Sequence, residues 1–399
     1  MYNEGKKVPM TTTDILTRGV ENIIPDKAKL QTLLESGKKL NIYLGIDPTA
    51  TQIHIGHAVP LRKLQAFAEA GHHVTFLIGD FTALIGDTSD KDTERPVLTS
   101  EQIQANFALY KKQAEKIIDF SLVKVVHNSE WLSKLTFVDI VKLTQHFSAG
   151  TFVSRELIKK RLEAKKHVGL HELLYPVMQG YDSYFMDTDI QLGGTDQTFN
   201  MQAGRTLQRD LREKESYIIA NGFLEGTDGR KMSKSWGNAI WLSDEPNDMY
   251  GKVMSLKDEL IINYFTLATN RTVEEIAVIA GKLESGENPI NIKKSLAHQI
   301  VSELHSVEHA NEAQVFFERS VQQGEIIEPT PLPVRPEQTI LDLIVTAKPD
   351  LSKSDIRRLV EQGGIELDGV KITDANHVVE AGKILKVGKR NYYSLEATG

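Results

Sequence analysis

The sequence predicts an α/β fold with a doubly wound parallel sheet, followed by an α-helical region and a small α+β unit. Over about the first 245 residues, short β-rich runs alternate with segments of helical periodicity, which is typical of a parallel sheet covered by helices. After Asp244 the β-rich runs stop, and residues 249–319 have a helical pattern. A proline-rich stretch at 328–333 then precedes a C-terminal tail in which short helical and β-rich runs are mixed.

Five strands are predicted from short apolar runs, and the helices between them from apolar residues at helical spacing. The predicted strands span 41–46, 73–78, 123–126, 189–192 and 217–221. The predicted helices span 56–70, 100–120, 137–147, 153–164 and 173–185. Ser100 is placed at the N-cap of the second helix and Gly71 at the C-cap of the first. In the tail, helices are predicted at 340–346 and 353–362, and strands at 364–367 and 383–387.

A chain of 399 residues exceeds the usual size of a single hydrophobic core, so several domains are expected. We predict an α/β domain at 1–245 and a helical domain at 246–325. A stiff linker is predicted at 326–337 and a small α+β domain at 338–399.

The composition is that of an ordinary globular protein, with 40% apolar and 25% charged residues. No apolar run approaches the roughly 18 residues needed to span a bilayer, and the N-terminus lacks the apolar core of a secretory signal. We therefore expect a cytoplasmic protein without membrane contact. The absence of cysteine excludes disulfides and thiolate zinc sites. A net charge of −7 argues weakly against a surface that is basic throughout, but it leaves room for local patches that bind nucleic acid.

The first motif follows the first predicted strand. Asp47-Pro-Thr-Ala precedes His54-Ile-Gly-His57, which opens the next predicted helix. The N-terminus of a helix attracts phosphate through free N–H groups and the helix dipole, and Gly56 allows a nucleotide to approach the backbone. Two imidazoles three residues apart can donate hydrogen bonds to oxygens that gain charge in a transition state. A solvated helix face is an alternative; a zinc site is another, but no carboxylate–histidine pattern supports it.

The second motif is the segment 225–238, Glu-Gly-Thr-Asp-Gly-Arg-Lys-Met-Ser-Lys-Ser-Trp-Gly-Asn, which we call the lysine loop. It follows a predicted strand and is rich in glycine and cations. Its ammonium groups could close over a triphosphate and neutralise a departing pyrophosphate. A solvated turn that contains a few lysines is the alternative.

The two motifs together, His54-Ile-Gly-His57 and Lys231-Met-Ser-Lys-Ser235, resemble the paired signatures of class I aminoacyl-tRNA synthetases. The resemblance implies a Rossmann-type sheet with ATP at its carboxyl edge, where the strand order reverses. Mg²⁺ is expected to accompany ATP, without a protein cage dedicated to the metal. Nucleotidyltransferases with an HxGH motif are the near alternative, but they usually lack the lysine loop and need no tRNA-binding tail.

Three longer blocks, at 41–57, 84–95 and 174–197, resemble bacterial tyrosyl-tRNA synthetases. The implied reaction activates L-tyrosine with ATP to tyrosyl-adenylate and pyrophosphate, and then transfers tyrosine to the 3′ end of tRNA(Tyr). Tryptophanyl enzymes share the fold, but they are not expected to carry Tyr175, Gln179 and Asp182 or this tail. A catalytically idle RNA-binding paralogue would have lost motif residues, and all of them are intact here.

The resemblance also implies roles for single residues. Tyr175, Gln179 and Asp182 share one helix face by their spacing, and Asp182 needs buried partners in its apolar helix. The residues expected to bind tyrosine are Tyr43, Asp87, Tyr175, Gln179, Asp182 and Gln197. Those expected to bind ATP are Gly45, Asp47, Thr49, His54, Gly56, His57, Gly194, Asp196, Lys231, Lys234 and Ser235. The expected catalytic set is Thr49, His54, His57, Lys91, Arg95, Lys231 and Lys234. One departure is Leu44, which stands where some relatives have a cysteine whose thiol touches the ribose.

The C-terminal tail resembles the S4 RNA-binding domain through Asp355-Ile-Arg-Arg-Leu-Val360 and Val387-Gly-Lys-Arg390. The tail from residue 351 has eight Lys and Arg against seven Asp and Glu, so a merely solvated surface is the alternative and shape is expected to share the recognition. The resemblance further implies a homodimer with the region 130–175 at its interface, and a helical domain on the anticodon side of the tRNA. The expected RNA contacts are Arg209, Lys353, Arg357, Arg358, Lys389 and Arg390.

Overall fold

The computed structural model describes residues 10–86, 98–233, 236–322, 329–349, 351–388 and 391–397. The chain divides into two compact units. Unit 1 comprises residues 1–245 and 252–307, and unit 2 comprises 246–251 and 308–399.

Within the described part of unit 1, six strands form one sheet in the order β1-β6-β5-β2-β3-β4. Strands β2 to β6 are parallel to their neighbours, and β1 runs antiparallel to β6 at the edge. The doubly wound parallel sheet is therefore confirmed, with an additional antiparallel edge strand that was not predicted. The strands are β1 (Val20–Ile24), β2 (Asn41–Ile46), β3 (His73–Ile78), β4 (Val123–His127), β5 (Ile190–Gly194) and β6 (Tyr217–Asn221).

The chain moves outward from β2 to β4 and then returns to β5 on the other side of β2. The strand order therefore reverses between β2 and β5, which is where a doubly wound fold opens a crevice at the carboxyl ends of its strands. The helices of this part are α1 (Thr12–Thr17), α2 (Lys27–Glu35), α3 (Ile55–Glu69), α4 (Ser100–Ala114), α5 (Ser129–Leu132), α6 (Phe137–Thr144), α7 (Ala149–Val153), α8 (Glu156–Glu163), α9 (Leu170–Phe185) and α10 (Thr198–Arg212).

Two helix predictions need correction. The predicted helix 100–120 ends at Ala114, and its N-cap is Thr99 rather than Ser100. Thr99 accepts a hydrogen bond from the Gln102 amide, and Gln102 accepts one from the Thr99 amide, so both free N–H groups are satisfied. The predicted helix 153–164 is two short helices, α7 and α8.

The helical pattern predicted for 249–319 is confirmed. Helices α12 to α14 belong to unit 1, where Tyr264, Phe265, Leu296 and Ile300 are fully buried. The helices of this region are α11 (Pro246–Met254), α12 (Ile261–Ala268), α13 (Val273–Glu284), α14 (Pro289–Leu304) and α15 (Val307–Phe317).

In the described part of unit 2, five strands form a second sheet in the order β7-β11-β10-β8-β9, accompanied by two helices. Its core includes Ile340, Leu343, Ile356 and Leu385. The elements are β7 (Thr330–Val334), α16 (Ile340–Ala347), α17 (Lys353–Glu361), β8 (Ile365–Leu367), β9 (Val370–Lys371), β10 (Ile384–Val387) and β11 (Asn391–Ala397).

Strand β7 corrects one expectation. It lies within the predicted linker 326–337, but it pairs in parallel with β11. Pro331 and Pro333 are tolerated because β7 is an edge strand, and Leu332 and Val334 point into the core. The extended backbone expected from the prolines is therefore present, but as part of the sheet. Across the described ranges, no helix is long and apolar enough to cross a membrane.

Candidate active site

A cleft of about 270 Å³ opens at the carboxyl ends of β2 and β5, where the strand order reverses. It is lined by β2 and the loop after it, by one face of α9, and by the turn after β5. Of the residues predicted for tyrosine or ATP, those that line the cleft are Tyr43, Gly45, Asp47, Thr49, His57, Tyr175, Gln179, Asp182, Asp196 and Gln197. The predicted face of α9 is thus brought against the end of the first parallel strand.

Some predicted residues are not in the lining of this cleft. His54 is the N-cap of α3 and packs on His57, while Gly194 ends β5 beside Asp196. Gly56 and Lys231 lie in the first turn of α3 and in the lysine loop. Leu44 is buried beside Tyr43 and is also absent from the lining. The predicted residues that lie outside the described ranges are Asp87, Lys91, Arg95, Lys234 and Ser235.

The carboxyl group of Asp182 is the buried polar end of the cleft, with only 2% of the residue exposed. Trp131 Nε1 donates to Asp182 Oδ1 at 2.7 Å, and Asn128 Nδ2 donates to Asp182 Oδ2 at 3.1 Å. Burial raises the pKa of Asp182 to about 8, because the two hydrogen bonds only partly offset the loss of solvation. The expected buried partners are therefore present, and they leave acceptor capacity for a ligand.

Tyr43 lies beside this carboxyl group at the centre of the sheet. Its hydroxyl group donates to Gln191 Oε1 at 3.1 Å, and Gln191 Nε2 donates to the carbonyl of Met201 at 2.9 Å. A Cβ atom on Gly204 would come within 2.5 Å of Gln191 Oε1, so that glycine leaves room for the amide. Burial raises the pKa of Tyr43, so its hydroxyl group remains protonated.

Asp47 forms the second acidic point of the cleft. Tyr175 Oη donates to Asp47 Oδ2 at 2.9 Å, and Thr82 Oγ1 donates to Asp47 Oδ1 at 2.8 Å. Asn128 Nδ2 also lies 3.0 Å from Thr82 Oγ1. A Cβ atom on Gly79 would stand 2.0 Å from Asp47 Oδ1, so only glycine fits there. A chain of hydrogen bonds therefore joins Asp47 to the far carboxyl group through Thr82 and Asn128.

The two histidines stack on each other, with ring centroids 3.7 Å apart and planes 19° from parallel. His54 precedes the helix as its N-cap, and His57 lies in the first turn, so the pairing expected from their spacing is present. Burial, then the neighbouring His57 and Lys231, lower the pKa of His54 to about 3. His54 is therefore neutral near pH 7 and can donate or accept a single hydrogen bond at each ring nitrogen.

The lysine loop is organised around Asn238, which is buried. Asn238 Nδ2 donates to Asp228 Oδ1 at 2.8 Å and to the carbonyl of Lys231 at 3.1 Å. Asn238 Oδ1 accepts a bond from the Ser233 amide at 2.9 Å. Hydrogen bonds from Asn238 and Arg230 lower the pKa of Asp228. Asn238 therefore fixes the backbone on both sides of the first lysine of the motif.

The residues that sequence reasoning missed lie at the carboxyl ends of β3 and β4. Gly79 and Thr82 follow β3, while Asn128 and Trp131 follow β4. The available signal was positional: polar and aromatic residues directly after two parallel strands, β3 and the edge strand β4, lie at the carboxyl edge of the sheet. Among the described residues, no group of three or more His, Asp or Glu side chains could hold a metal ion.

The predicted RNA contacts belong to both units. Arg209 is exposed near the end of α10, about 16 Å along the helix from the end beside the cleft, and its Nε lies 2.8 Å from Asp210 Oδ1. In unit 2, Lys353, Arg357 and Arg358 are exposed on α17. Lys389 and Arg390 lie outside the described residues.

Two known protein families match this chain. The family described as class I tRNA synthetases (W and Y) matches residues 35–322, and the S4 domain family matches 339–385. Because the first match covers more than half of the chain, the chain belongs to the class I aminoacyl-tRNA synthetases of this group, and it carries an S4 domain.

The relatives place it in the tyrosine branch of that group. The chain is 42% identical to the tyrosine–tRNA ligase of Dehalococcoides mccartyi over 95% of its own length and 96% of the relative's. It is 44% identical to tyrosine–tRNA ligase 2 of Photorhabdus laumondii, covering 91% and 92% of the two chains. A crystal structure of a truncated Aspergillus nidulans mitochondrial tyrosyl-tRNA synthetase has the same fold, with a TM-score of 0.65 and 22% identity over 77% of this chain and 93% of that one.

Proposed function

We propose that the chain is a tyrosine–tRNA ligase acting in two steps. In the first, the carboxylate of L-tyrosine attacks the α-phosphorus of ATP, which forms tyrosyl-adenylate and releases pyrophosphate. In the second, a hydroxyl group of the terminal ribose of tRNA(Tyr) attacks the activated carbonyl group and releases AMP. Neither step needs a covalent enzyme intermediate, so positioning and charge stabilisation carry the rate.

The buried Asp182 carboxyl group carries this proposal. A phenol O–H that donates to Asp182 and lies beside the Tyr43 hydroxyl group satisfies polar groups that would otherwise be buried without a ligand partner. Phenylalanine leaves them unsatisfied, and an indole does not place a hydroxyl group there. Tyr175, Gln179, Gln197 and Asp87 are proposed to receive the α-ammonium end of tyrosine.

ATP is proposed to lie at the N-terminus of α3. Its phosphates approach Thr49, His54 and His57, where the positive end of the helix dipole favours negative charge. Gly45 and Asp47 line the same end of the cleft, Gly56 is assigned to the phosphates from the first turn of α3, and Gly194 and Asp196 are assigned to the ribose. The cations assigned to the departing pyrophosphate, with the accompanying hydroxyl group, are Lys91, Arg95, Lys231, Lys234 and Ser235. Mg²⁺ is proposed to arrive with ATP.

Amino-acid-dependent pyrophosphate–ATP exchange, measured with each of the twenty amino acids, tests the assignment. We expect exchange with tyrosine and none above background with phenylalanine or tryptophan. Exchange without any amino acid would indicate a nucleotidyltransferase, and exchange with tryptophan alone would indicate the sibling enzyme. Asp182→Ala should abolish the preference for tyrosine over phenylalanine; an unchanged preference would refute the role of Asp182.

The S4 domain is proposed to bind tRNA through Lys353, Arg357, Arg358, Lys389 and Arg390, with Arg209 meeting the acceptor end. Guanidinium groups suit phosphate contacts, and their contribution should weaken with salt. The double variant R357Q/R358Q should raise KM for tRNA(Tyr) in aminoacylation and leave pyrophosphate exchange unchanged. Lys112→Gln, an exposed cation on α4, serves as the control. If R357Q/R358Q and Lys112→Gln raised KM for tRNA(Tyr) equally, the proposal that the S4 domain binds tRNA through these arginines would be refuted.

A homodimer is proposed through α6 and the start of α9. Phe137 is 81% exposed, Leu170 74% and Val138 60%, so this surface of unit 1 holds apolar side chains that a second copy would cover. A stable pair needs about 800 Å² buried per subunit. In sedimentation experiments the Phe137→Asp variant should be a monomer and the unchanged protein a dimer. If the unchanged protein were also a monomer, the proposed interface would be refuted. A cytoplasmic location and a domain limit at 245 belong to the same proposal.

A further inference from the structure

The lysine loop is held at its base by helix α12, and we propose that Tyr264 and Asn263 on that helix are positioning residues for the loop during tyrosine activation. The inference rests on the proposed function and deepens it. It names the side chains that hold Lys231, one of the cations assigned to pyrophosphate, relative to the rest of the site.

The base of the loop is a short hydrogen-bonded turn. Glu225 and Lys231 face each other across an antiparallel bridge. The amide of Gly226 donates to the carbonyl of Arg230 at 2.6 Å. Any displacement of Glu225 is therefore passed directly to the backbone of Lys231.

Three hydrogen bonds tie this turn to α12 and the residues before it. Tyr264 Oη donates to the carbonyl of Glu225 at 2.7 Å, and Asn263 Nδ2 donates to Glu225 Oε2 at 2.9 Å. The amide of Lys257 donates to the carbonyl of Thr227 at 3.2 Å. Tyr264 is fully buried, so its hydroxyl group has little freedom to find another partner. Glu225 is thus held by both its backbone and its side chain.

The other end of α12 is fixed to the helix that carries the histidine motif. The guanidinium group of Arg18 donates to the carbonyl of Thr266 at 2.7 Å. Arg62, on α3, donates from Nη1 to Asn270 Oδ1 at 2.6 Å and to Glu303 Oε2 at 2.7 Å. The side chains of Arg18, Arg62 and Glu303 are largely buried, so the ion pair of Arg62 with Glu303 is shielded from water. Helix α12 therefore connects α3, at whose N-terminus ATP is proposed to bind, with the base of the lysine loop.

Such a connection matters for the step in which charge develops on the leaving pyrophosphate. Preorganised cations stabilise that charge without a reorganisation cost, whereas a loop with a free base must be ordered in each turnover. The described residues that are proposed to bind tyrosine lie on β2, on α9 and in the turn after β5, so tyrosine affinity should not depend on α12. The expected signature is a loss in kcat for activation without a change in KM for tyrosine.

Tyr264→Phe and Asn263→Ala each remove one bond to Glu225, and Thr266→Val is the matched control. The Thr266 hydroxyl group bonds within its own helix, to the carbonyl of Ile262 at 2.8 Å, so its loss should not reach the loop. In tyrosine-dependent pyrophosphate–ATP exchange, we expect kcat to fall roughly three- to tenfold in the first two variants. KM for tyrosine and the thermal midpoint should match those of Thr266→Val.

Two measurements separate positioning from general destabilisation. In a Lys231→Ala background, Tyr264→Phe should cause a smaller loss in kcat, because the loop has already lost one of its charges. In ¹⁹F NMR of protein with fluorinated tryptophan, the resonance of Trp236, which packs on Arg230 at 4.6 Å, should shift in Tyr264→Phe and not in Thr266→Val.

Unchanged kcat in both Tyr264→Phe and Asn263→Ala would overturn the inference, as would an equal loss of kcat with and without Lys231. Asn263 is only half-buried, so that variant remains informative if Tyr264→Phe folds poorly. If the unaltered protein shows no tyrosine-dependent exchange, the proposed function fails first, and the two failures are distinguishable.

Discussion

Substituting Asp182 by asparagine should lower the stability of the folded protein at acidic pH and raise it at neutral pH. The side chain keeps its shape but can no longer ionise. One of its two hydrogen-bond donors, Trp131 Nε1 or Asn128 Nδ2, then faces an N–H group instead of an oxygen. Leaving such a donor unsatisfied costs about 1–3 kcal/mol at any pH. At pH 5 we therefore expect Asp182→Asn to be less stable than the unchanged protein.

The charge works in the opposite direction. The folded-state pKa of Asp182 is raised from 3.8 to about 8, so the folded state holds a proton that the unfolded state has lost between those values. The stability of the unchanged protein therefore falls as pH rises through this interval, by about 1.4 kcal/mol per pH unit from this group alone. The asparagine variant is spared this loss. Between pH 5 and pH 7 the variant should gain about 2.7 kcal/mol relative to the unchanged protein.

Urea unfolding at pH 5, 6 and 7, followed by tryptophan fluorescence, measures this difference. All three tryptophans, Trp131, Trp236 and Trp241, lie in unit 1, so the signal reports the unit that contains Asp182. Taking the difference between the two proteins at each pH cancels the titration of groups that they share. A difference that stays constant from pH 5 to pH 7 would refute the reasoning, because it would mean that the buried carboxyl group is already ionised in the folded protein.

Three further outcomes follow from the same geometry. If the phenol donates to an ionised carboxylate, KM for tyrosine in pyrophosphate exchange should fall as pH rises toward the Asp182 pKa of about 8, by up to about tenfold per pH unit below pH 7; a flat profile from pH 6 to pH 8 would contradict this. Trp131→Phe removes a donor to that carboxylate, so KM for tyrosine should rise about tenfold with little change in kcat, and an unaltered KM would count against the contact. Gly79→Ala would place a methyl group 2.0 Å from Asp47 Oδ1 and 2.4 Å from Thr82 Oγ1, so both stability, by about 1–3 kcal/mol, and kcat/KM should fall. Gly150→Ala is the control, because no atom would lie nearer than 3.6 Å to the new Cβ atom. Equal effects of the two substitutions would show that the protein relieves the clash at position 79.

The central strands of the first sheet were predictable because they are buried on both faces and appear as short apolar runs. Among the strands that escaped prediction, the edge strands β1 and β7 lack that signal. In β1, Glu21 and Asn22 are exposed and the remaining residues are only half-buried, so neither alternation nor a continuous apolar run is visible. In β7 the prolines suggested a linker, since their effect on a central strand would be disruptive. Only the pairing with β11 shows that the position is an edge, where a missing N–H group is harmless.

The residues of the candidate site also fall into two groups: those predicted from a local sequence pattern and those that depend on the arrangement of the strands. Tyr175, Gln179 and Asp182 were grouped by their spacing on one helix, which is a local property of the sequence. Thr82 and Asn128 stand 46 residues apart in the chain, and Asn128 is 54 residues from Asp182. Their association depends on the order of the strands in the sheet, and no local pattern specifies that order.

The hydrogen bonds from Asp47 through Thr82 and Asn128 to Asp182 support the proposed selectivity of the cleft for tyrosine. The proposed ATP end and the phenol end are not independent pockets, because one threonine hydroxyl group and one amide are shared between them. Each of these groups has its donors and acceptors nearly saturated within the protein, so a wrong ligand cannot be accommodated by turning one side chain alone. The lysine loop contrasts with this core: its first lysine is exposed, and the loop owes its order to Asn238 and to the contacts with α12. The proposed recognition of the amino acid therefore rests on buried strands and helices, whereas the proposed neutralisation of pyrophosphate rests on a surface loop that contacts with α12 would hold in position.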